Sequence, residues 1–280
     1  MPFVDRPGCR LFYTVVDVTP PWVQDPPAII FHHGVSATGA LWSDWIPVLC
    51  DEFRLVLFDT RGFGRSTPLS GDAAWSMELL ADDILAVAGA EHLERFHLVG
   101  ESAGGTVALA TAVSHPERLL SLTVSNAAHT GTAVRNVRGL WGERITKGGQ
   151  EEWATQMMQW RFFPGSLPEE KHRWFLDQHA TCSVEATLAL ADLLLRTDLS
   201  DRVQAIETPT LILSPDSSPF IPVEIAADLR AKVAGSEFQV FPHSRHGLPL
   251  SHGRECARAL RKFLQRHFGA DDQKSTGAAP

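Results

Sequence analysis

Short apolar runs alternate with longer stretches of helical character along most of the chain. The runs at residues 28–31 and 55–58 are continuously apolar, which is typical of strands buried on both faces of a sheet, and the others are mostly apolar. The runs cover residues 28–31, 55–58, 96–99, 120–124, 210–213 and 238–241, after an opening pair of strands predicted within residues 4–18. The predicted helices cover residues 75–90, 103–114, 223–233 and 255–268. This alternation predicts an α/β fold, with a mostly parallel sheet flanked by helices.

The alternation stops in one long segment, residues 129–203. This segment lacks a clear strand run, and its apolar residues recur at helical spacing. It holds four of the eight tryptophans, namely Trp141, Trp153, Trp160 and Trp174. We therefore expect a helical lid inserted into a core formed by residues 1–128 and 204–268. Residues 269–280 are polar and rich in glycine and alanine, so they are predicted to form a disordered tail.

The composition narrows the range of partners. The formal net charge is −8, and the chain has no lysine or arginine cluster, which argues against nucleic acid and anionic membranes. No stretch has the length and apolarity of a membrane span or the pattern of a secretion signal. The cysteines are scattered and lack the spacing of metal ligands, which indicates free thiols in a reducing compartment. These features predict a cytoplasmic protein that acts on a small molecule, and they leave a homodimer open.

The pentapeptide Gly100-Glu101-Ser102-Ala103-Gly104 stands between an apolar run and a helical stretch of small residues. It fits the pattern G-x-S-x-G, in which a serine nucleophile stands on a sharp turn from strand to helix. The flanking glycines remove Cβ atoms where strand and helix crowd each other. The bare pattern also occurs by chance in glycine-rich loops, but the strand–turn–helix context favours Ser102 as a nucleophile.

A serine hydroxyl attacks only when a base accepts its proton, and the base needs an orienting group. His246 follows the last predicted strand and precedes the final helix, so it is the predicted base. His243 lies in the same loop and is the alternative, although a solvated loop histidine would look the same. Asp216 follows the strand at residues 210–213 and is the predicted acid. A turn-capping aspartate is its structural alternative.

The attack also requires two backbone N–H donors that bind the oxyanion. The predicted donors are Ala103, directly after the nucleophile, and Val35, after the pair His33-Gly34. Adjacent His32 and His33 could suggest a metal site, but no carboxylate or cysteine cluster completes one, and the chemistry requires no cofactor. The predicted substrate-binding residues are His33, Gly34, Trp141, Trp160 and Phe163. Aromatic residues in a lid indicate an apolar or aromatic substrate, although each one alone is more often a packing residue.

Taken together, these motifs resemble the α/β-hydrolase superfamily over nearly the whole chain. The matching segments are His33-Gly34, the turn from Asp59 to Ser66, the pentapeptide around Ser102, His115-Pro116-Glu117-Arg118, and the late Asp216 and His246. More narrowly, the segments Val124-Ser125-Asn126-Ala127-Ala128 and Arg161-Phe162-Phe163-Pro164 are similar to 3-oxoadipate enol-lactonases. The resemblance implies a lidded serine hydrolase with a Ser/Asp/His triad, of the esterase or lactonase type.

The acid loop departs from the pattern of this superfamily. In many members the acid stands four residues before a proline that opens the next helix, and that register falls on Ser218. The other acid position, after the preceding strand, is Asn126, which does not ionise. We favour Asp216 because a hydroxyl does not stabilise an imidazolium as a carboxylate does.

The serine nucleophile excludes the relatives that use an aspartate nucleophile. Hydrolysis of an ester or lactone carbonyl through an acyl-enzyme is the expected activity. A C–C bond hydrolase, an amidase or a perhydrolase would carry the same residues. A ligand-binding receptor on the same scaffold is the alternative from another class, and an inactive interaction protein is a third.

Overall fold

One sheet of eight strands forms the centre of the computed structural model, which describes residues 2–66, 75–135 and 140–269. The strands are β1 (Phe3–Arg6), β2 (Cys9–Val16), β3 (Ala28–His32), β4 (Arg54–Phe58), β5 (Phe96–Glu101), β6 (Leu119–Ser125), β7 (Thr210–Pro215) and β8 (Glu237–Phe241). The helices are α1 (Ile46–Leu49), α2 (Met77–Ala90), α3 (Ala103–Ser114), α4 (Leu140–Arg161), α5 (Glu169–Thr181), α6 (Val184–Arg196), α7 (Val223–Lys232), α8 (Leu248–Ser251) and α9 (Gly253–Phe268). The predicted α/β fold is confirmed.

The strand order is β1-β2-β4-β3-β5-β6-β7-β8. β2 runs antiparallel to both of its neighbours, and all pairs from β4 to β8 are parallel. Each parallel pair needs a crossover connection, and helices supply most of these connections. The carboxyl ends of β3, β5, β6, β7 and β8 therefore meet at one edge of the sheet, where the loops that follow them come together.

Side chains of successive strand residues point to opposite faces of the sheet and enter two apolar clusters. In β4, Val56 and Phe58 belong to one cluster, whereas Leu55 and Leu57 belong to the other. The first cluster includes residues of α2, α3 and α7, and the second includes residues of α1, α8 and α9. Burial on both faces explains why these strands are continuously apolar in sequence.

Three helices, α4 to α6, lie between β6 and β7, in the segment predicted to be helical. α4 is interrupted at Gly149, whose φ of 80° is non-helical. Trp141 and Trp153 pack edge to face, with ring centroids 5.5 Å apart, and both are buried. The division into core and lid at residues 129 and 203 stays a prediction, and the predicted tail lies outside the described residues from position 270 onwards.

No helix of the three described ranges is both long enough and apolar enough to cross a membrane.

Candidate active site

Ser102 lies at the turn that joins β5 to α3. Its backbone has φ 53° and ψ −121°, a strained conformation for a residue other than glycine, and its side chain is buried. The amide of Ser102 donates to the carbonyl of Ser125 at 3.0 Å, which ties the turn to the end of β6. The serine is therefore held at the carboxyl edge of the sheet.

The glycines around Ser102 are required by close packing. A Cβ at position 100 would lie 2.4 Å from the carbonyl oxygen of Gly104, and a Cβ at position 104 would lie 2.4 Å from the carbonyl oxygen of His33. Backbone atoms cannot move aside as a flexible side chain can. The turn therefore needs glycine at both places for a steric reason, as the sequence predicts.

His246 contacts the nucleophile directly. Its Nε2 lies 2.9 Å from the Oγ of Ser102, which is hydrogen-bond distance. Burial lowers the pKa of His246 well below its usual range, and the nearby Arg161 and His179 lower it further. The imidazole is thus neutral at neutral pH, which is the state that can accept the serine proton.

The other ring nitrogen of His246 faces two neutral side chains. The Nδ2 of Asn126 lies 2.5 Å from Nδ1, and the Oγ of Ser218 lies 3.1 Å from it. Ser218 Oγ also accepts hydrogen bonds from the N–H groups of Phe220 and Ile221, at 3.4 and 3.2 Å. An amide and a hydroxyl can each donate or accept, so neither of them forces one tautomer on the ring.

The carboxylate of the predicted acid, Asp216, is directed away from His246 in the structure. Its carboxylate accepts hydrogen bonds from the N–H groups of His243 and Ser244, at 2.8 and 3.0 Å. Burial would raise the pKa of Asp216, but these hydrogen bonds outweigh it and hold the pKa below the usual value. Asp216 therefore braces the loop that carries His246. Ser218, which stands in the register of the superfamily acid, is the residue that contacts the ring.

We expect Asp216→Asn to leave the ester hydrolysis proposed below within about threefold of wild type, because the carboxylate does not contact His246. The variant should lose stability by about 0.5–1.5 kcal/mol, the usual net contribution of a hydrogen bond. Parallel measurements of kcat/KM and of the urea midpoint would check both expectations. A loss of a hundredfold or more without unfolding would return Asp216 to the catalytic set.

The predicted oxyanion donors lie beside the nucleophile. Ala103 is the first residue of α3, where N–H groups have no partner within the helix. Val35 lines the same cavity as Ser102 and His246. Gly34 directly precedes Val35, and a Cβ on it would lie 2.9 Å from the Cβ of Ser102. The loop therefore approaches the nucleophile as closely as glycine allows. The arrangement suits an oxyanion hole, and that role stays a prediction.

The predicted substrate-binding residues fall into different surroundings. Trp141 lines the cavity at Ser102, and its contact with substrate stays a prediction. Trp160 packs against Phe220, with ring centroids 5.4 Å apart, and does not line that cavity. Phe163 stacks on His243 at 4.4 Å and lines a separate cleft with Arg245. Neither Trp160 nor Phe163 lines the cavity at Ser102 in this structure.

His33 also holds the structure rather than facing the cavity. Its Nδ1 donates to the carbonyl of Gly34 at 2.7 Å, and its Nε2 accepts the N–H of Thr60 at 2.9 Å. Burial lowers the pKa of His33 to about 4, so the ring is neutral. Both ring nitrogens are thus used in fixing the Gly34 turn. Within the described ranges, no group of three or more histidine, cysteine, aspartate or glutamate side chains could hold a metal ion.

A buried ion pair beside the nucleophile was not predicted from sequence. The Oε1 of Glu101 lies 3.7 Å from the Nη1 of Arg161, and both side chains are nearly inaccessible to solvent. Burial raises the pKa of Glu101 to about 7, although Arg161 and the N–H of Gly34 act to lower it. The Nη2 of Arg161 donates to the carbonyl of Val35 at 3.2 Å, and its own carbonyl accepts the N–H of Gly247. The end of α4 is therefore bonded to the loops of Val35 and His246.

A family model described as the alpha/beta hydrolase fold matches residues 27–252 of the chain. A proposed carbamate hydrolase, RutD, of Pantoea ananatis is 26% identical over 249 residues, which cover 86% of this chain and 90% of that protein. A pimeloyl-[acyl-carrier protein] methyl ester esterase of Aeromonas hydrophila is 27% identical and covers 85% of this chain and 95% of its own length. The enol-lactonase structure from Burkholderia xenovorans LB400 superposes with a TM-score of 0.84 at 20% identity, covering 94% of this chain and 100% of that chain.

Proposed function

Since the chain belongs to the alpha/beta hydrolase fold family, we propose that it hydrolyses a carboxylic ester or lactone through an acyl-enzyme on Ser102. The observation that carries the proposal is the contact of 2.9 Å between the Nε2 of His246 and the Oγ of Ser102. The relatives of this chain are named as hydrolases and esterases, which supports the assignment to the hydrolase class. The substrate and the catalytic residues are part of the proposal.

The reaction begins when His246 accepts the proton of Ser102, whose Oγ attacks the carbonyl carbon. The N–H groups of Val35 and Ala103 bind the oxyanion of the tetrahedral intermediate. His246 then gives its proton to the departing alcohol or ring oxygen. Water attacks the acyl-enzyme by the same steps in reverse order and releases the acid, so no cofactor enters the scheme.

The orienting role at Nδ1 falls to Asn126 and Ser218. For His246 to accept a proton at Nε2, its Nδ1 must carry hydrogen and donate it. Asn126 Oδ1 has no hydrogen-bond partner among the described residues, so a turned amide could accept this proton. The Ser218 hydroxyl can rotate to the same effect. Both groups permit the productive tautomer, but neither carries the charge that would stabilise an imidazolium.

This neutral pair favours esters and lactones over amides. An amine leaves only after an imidazolium has formed and protonated its nitrogen, whereas an alcohol oxygen departs with less help. The cavity at Ser102 is narrow, with a volume of about 10 Å³, so its lining must move apart to admit a substrate. The side chains that line it besides Ser102 and His246 are apolar: Val35, Val134, Trp141, Ala191, Leu194, Phe220 and Ile221. An apolar lining of this kind favours an uncharged, apolar acyl group.

The test combines labelling with turnover. A fluorophosphonate should add to one serine, found by mass spectrometry in the peptide that contains Ser102, and p-nitrophenyl acetate or butyrate should be turned over many times. Asp216→Asn should label equally well and serves as the control. Labelling of a different serine, or none, would refute the nucleophile. A burst of one product per chain without further turnover would support a ligand-binding receptor instead.

A further inference from the structure

Glu101 stands directly before the nucleophile, as the last residue of β5. Its Oε1 lies 3.8 Å from the Nε2 of His246, and only 2% of the residue is exposed. Within the described ranges, it is the one carboxylate with an oxygen within 4.0 Å of a ring nitrogen of His246. No step of the mechanism above uses it.

We propose that Glu101 is a positioning residue that supplies, on the Nε2 side of His246, the negative charge that is missing at Nδ1. The inference rests on the proposed function and deepens it. Glu101 acts through His246 and does not contact the reacting carbonyl.

The need for such a charge follows from the proton transfer. When Ser102 attacks, His246 becomes an imidazolium in a buried site, where an isolated cation is strongly disfavoured. Asn126 and Ser218 contact Nδ1 but are neutral. A carboxylate within about 4 Å, shielded from water, favours the charged ring far more than an exposed one would.

Arg161 favours the charged form of Glu101 against burial, which nonetheless raises the pKa of the carboxyl to about 7. Its guanidinium, from the end of α4, lies 3.7 Å from the same Oε1 that faces His246. Burial lowers the pKa of Arg161, and Glu101 opposes this change. His179 of α5 and Cys182 lie near Arg161. Because His179 is neutral when buried, Arg161 and Glu101 are the charged pair of the cluster.

The protonation of Glu101 should therefore appear in the pH profile. The groups that face its carboxylate are Arg161, the N–H of Gly34, the ring of His246 and the neighbouring Ser102. As the pH falls through about 7, Glu101 takes up a proton and the imidazolium loses its nearest counter-charge. kcat should fall through this range, because His246 itself becomes protonated only at much lower pH.

The decisive variant is Glu101→Gln, which keeps the size and removes the charge. At pH 8 its kcat for p-nitrophenyl acetate should fall about tenfold, with KM nearly unchanged, because the charge acts in the transition state. The limb of the kcat–pH profile that falls near pH 7 should be absent in this variant. A role limited to packing would leave that limb in place, and this outcome would overturn the proposal.

A double substitution keeps the test sharp if Glu101→Gln is less stable. Ser218→Asp puts a carboxylate at Nδ1, so Glu101→Gln should cost much less in that background than alone. The matched control is Ser218→Asn, which has the same shape without the charge and should leave the tenfold cost intact. Equal costs in all backgrounds would show that Glu101 does not act through His246.

The two proposals fail in different ways. Absence of labelling and turnover in the wild type would refute the proposed function. A wild type that labels and turns over, with Glu101→Gln matching it in rate and pH profile, would refute only the role of Glu101. An NMR titration of the His246 ring needs no substrate: in the wild type the ring signals should shift as the pH passes through about 7, where the neighbouring carboxyl titrates, and Glu101→Gln should lack this step. An identical titration would count against the charge.

Discussion

Ser218→Asp is expected to raise kcat/KM for p-nitrophenyl esters by roughly 10²-fold or more. In serine triads, replacing the carboxylate by its amide costs about 10⁴-fold in kcat, since the histidine then takes the wrong tautomer. This chain already has neutral groups at Nδ1 of His246, with Asn126 and Ser218 in contact. A carboxylate there accepts only, so it would hold hydrogen on Nδ1 and stabilise the imidazolium.

Position 218 can accommodate the change. Ser218 Oγ lies 3.1 Å from Nδ1, and it stands four residues before Pro222, which precedes α7. One carboxylate oxygen can keep the hydrogen bonds from Phe220 and Ile221, while the other faces the ring. The longer side chain requires a small shift of the loop.

Two variants make this result interpretable. Ser218→Asn matches aspartate in size and should bring no gain, so a gain limited to aspartate belongs to the charge. Asn126→Asp adds a carboxylate without a change of size, at the side chain that lies 2.5 Å from Nδ1. It should also raise kcat/KM. If neither aspartate variant exceeds the wild type while both remain folded, then His246 does not limit the reaction, and the proposed mechanism is wrong.

Much of the fold was predictable because local and global patterns agree. Continuous apolar strands occur where both faces of the sheet are covered, as Leu55 to Phe58 show. The tight turn at Ser102 was predictable because Gly100 and Gly104 are visible in the sequence, and the close packing there leaves no room for a Cβ at either position. His246 follows from the order of the elements, since the loop after the last strand returns to the same sheet edge as Ser102.

The sequence argument for the acid gave the chemistry of the side chain priority over its register in the loop, and the structure directs Asp216 away from the ring of His246. Asp216 was preferred for its charge, although its position is two residues before the superfamily register. In a tight loop, two residues decide whether a side chain faces the ring or the backbone N–H groups of its own loop. Ser218 and Asn126 were both at hand in the sequence. Ser218, which stands in the superfamily register, is the residue whose side chain contacts the ring of His246.

The pair of Glu101 and Arg161 was beyond sequence reasoning for another reason. Glu101 occupies a position of the pentapeptide where the pattern allows any residue. Arg161 is sixty residues away along the chain, at the end of α4. Only the way α4 packs on the sheet edge brings their charges to 3.7 Å. Such contacts depend on the packing of helices, which local periodicity does not determine.

Ser102→Ala is expected to lower kcat/KM for p-nitrophenyl esters by at least about 10²-fold and to abolish fluorophosphonate labelling. Catalytic residues that act as a unit are strongly non-additive. In a complete triad the loss of the serine costs about 10⁶-fold and the loss of the acid alone about 10⁴-fold, so about 10² remains to be lost once the acid is gone. This chain corresponds to a triad that has lost its acid, since Asn126 and Ser218 are the side chains that contact Nδ1 of His246.

The same argument fixes the comparison that tests it. In the Ser218→Asp background, Ser102→Ala should cost clearly more than in the wild type, because the nucleophile and base then work with a carboxylate. Thermal unfolding of each variant controls for folding, since a hydroxyl removed from a buried turn should change stability little. Ester hydrolysis retained at the wild-type rate in Ser102→Ala would show that another group attacks the carbonyl. An equal cost in both backgrounds would show instead that the carboxylate at position 218 does not reach the ring of His246.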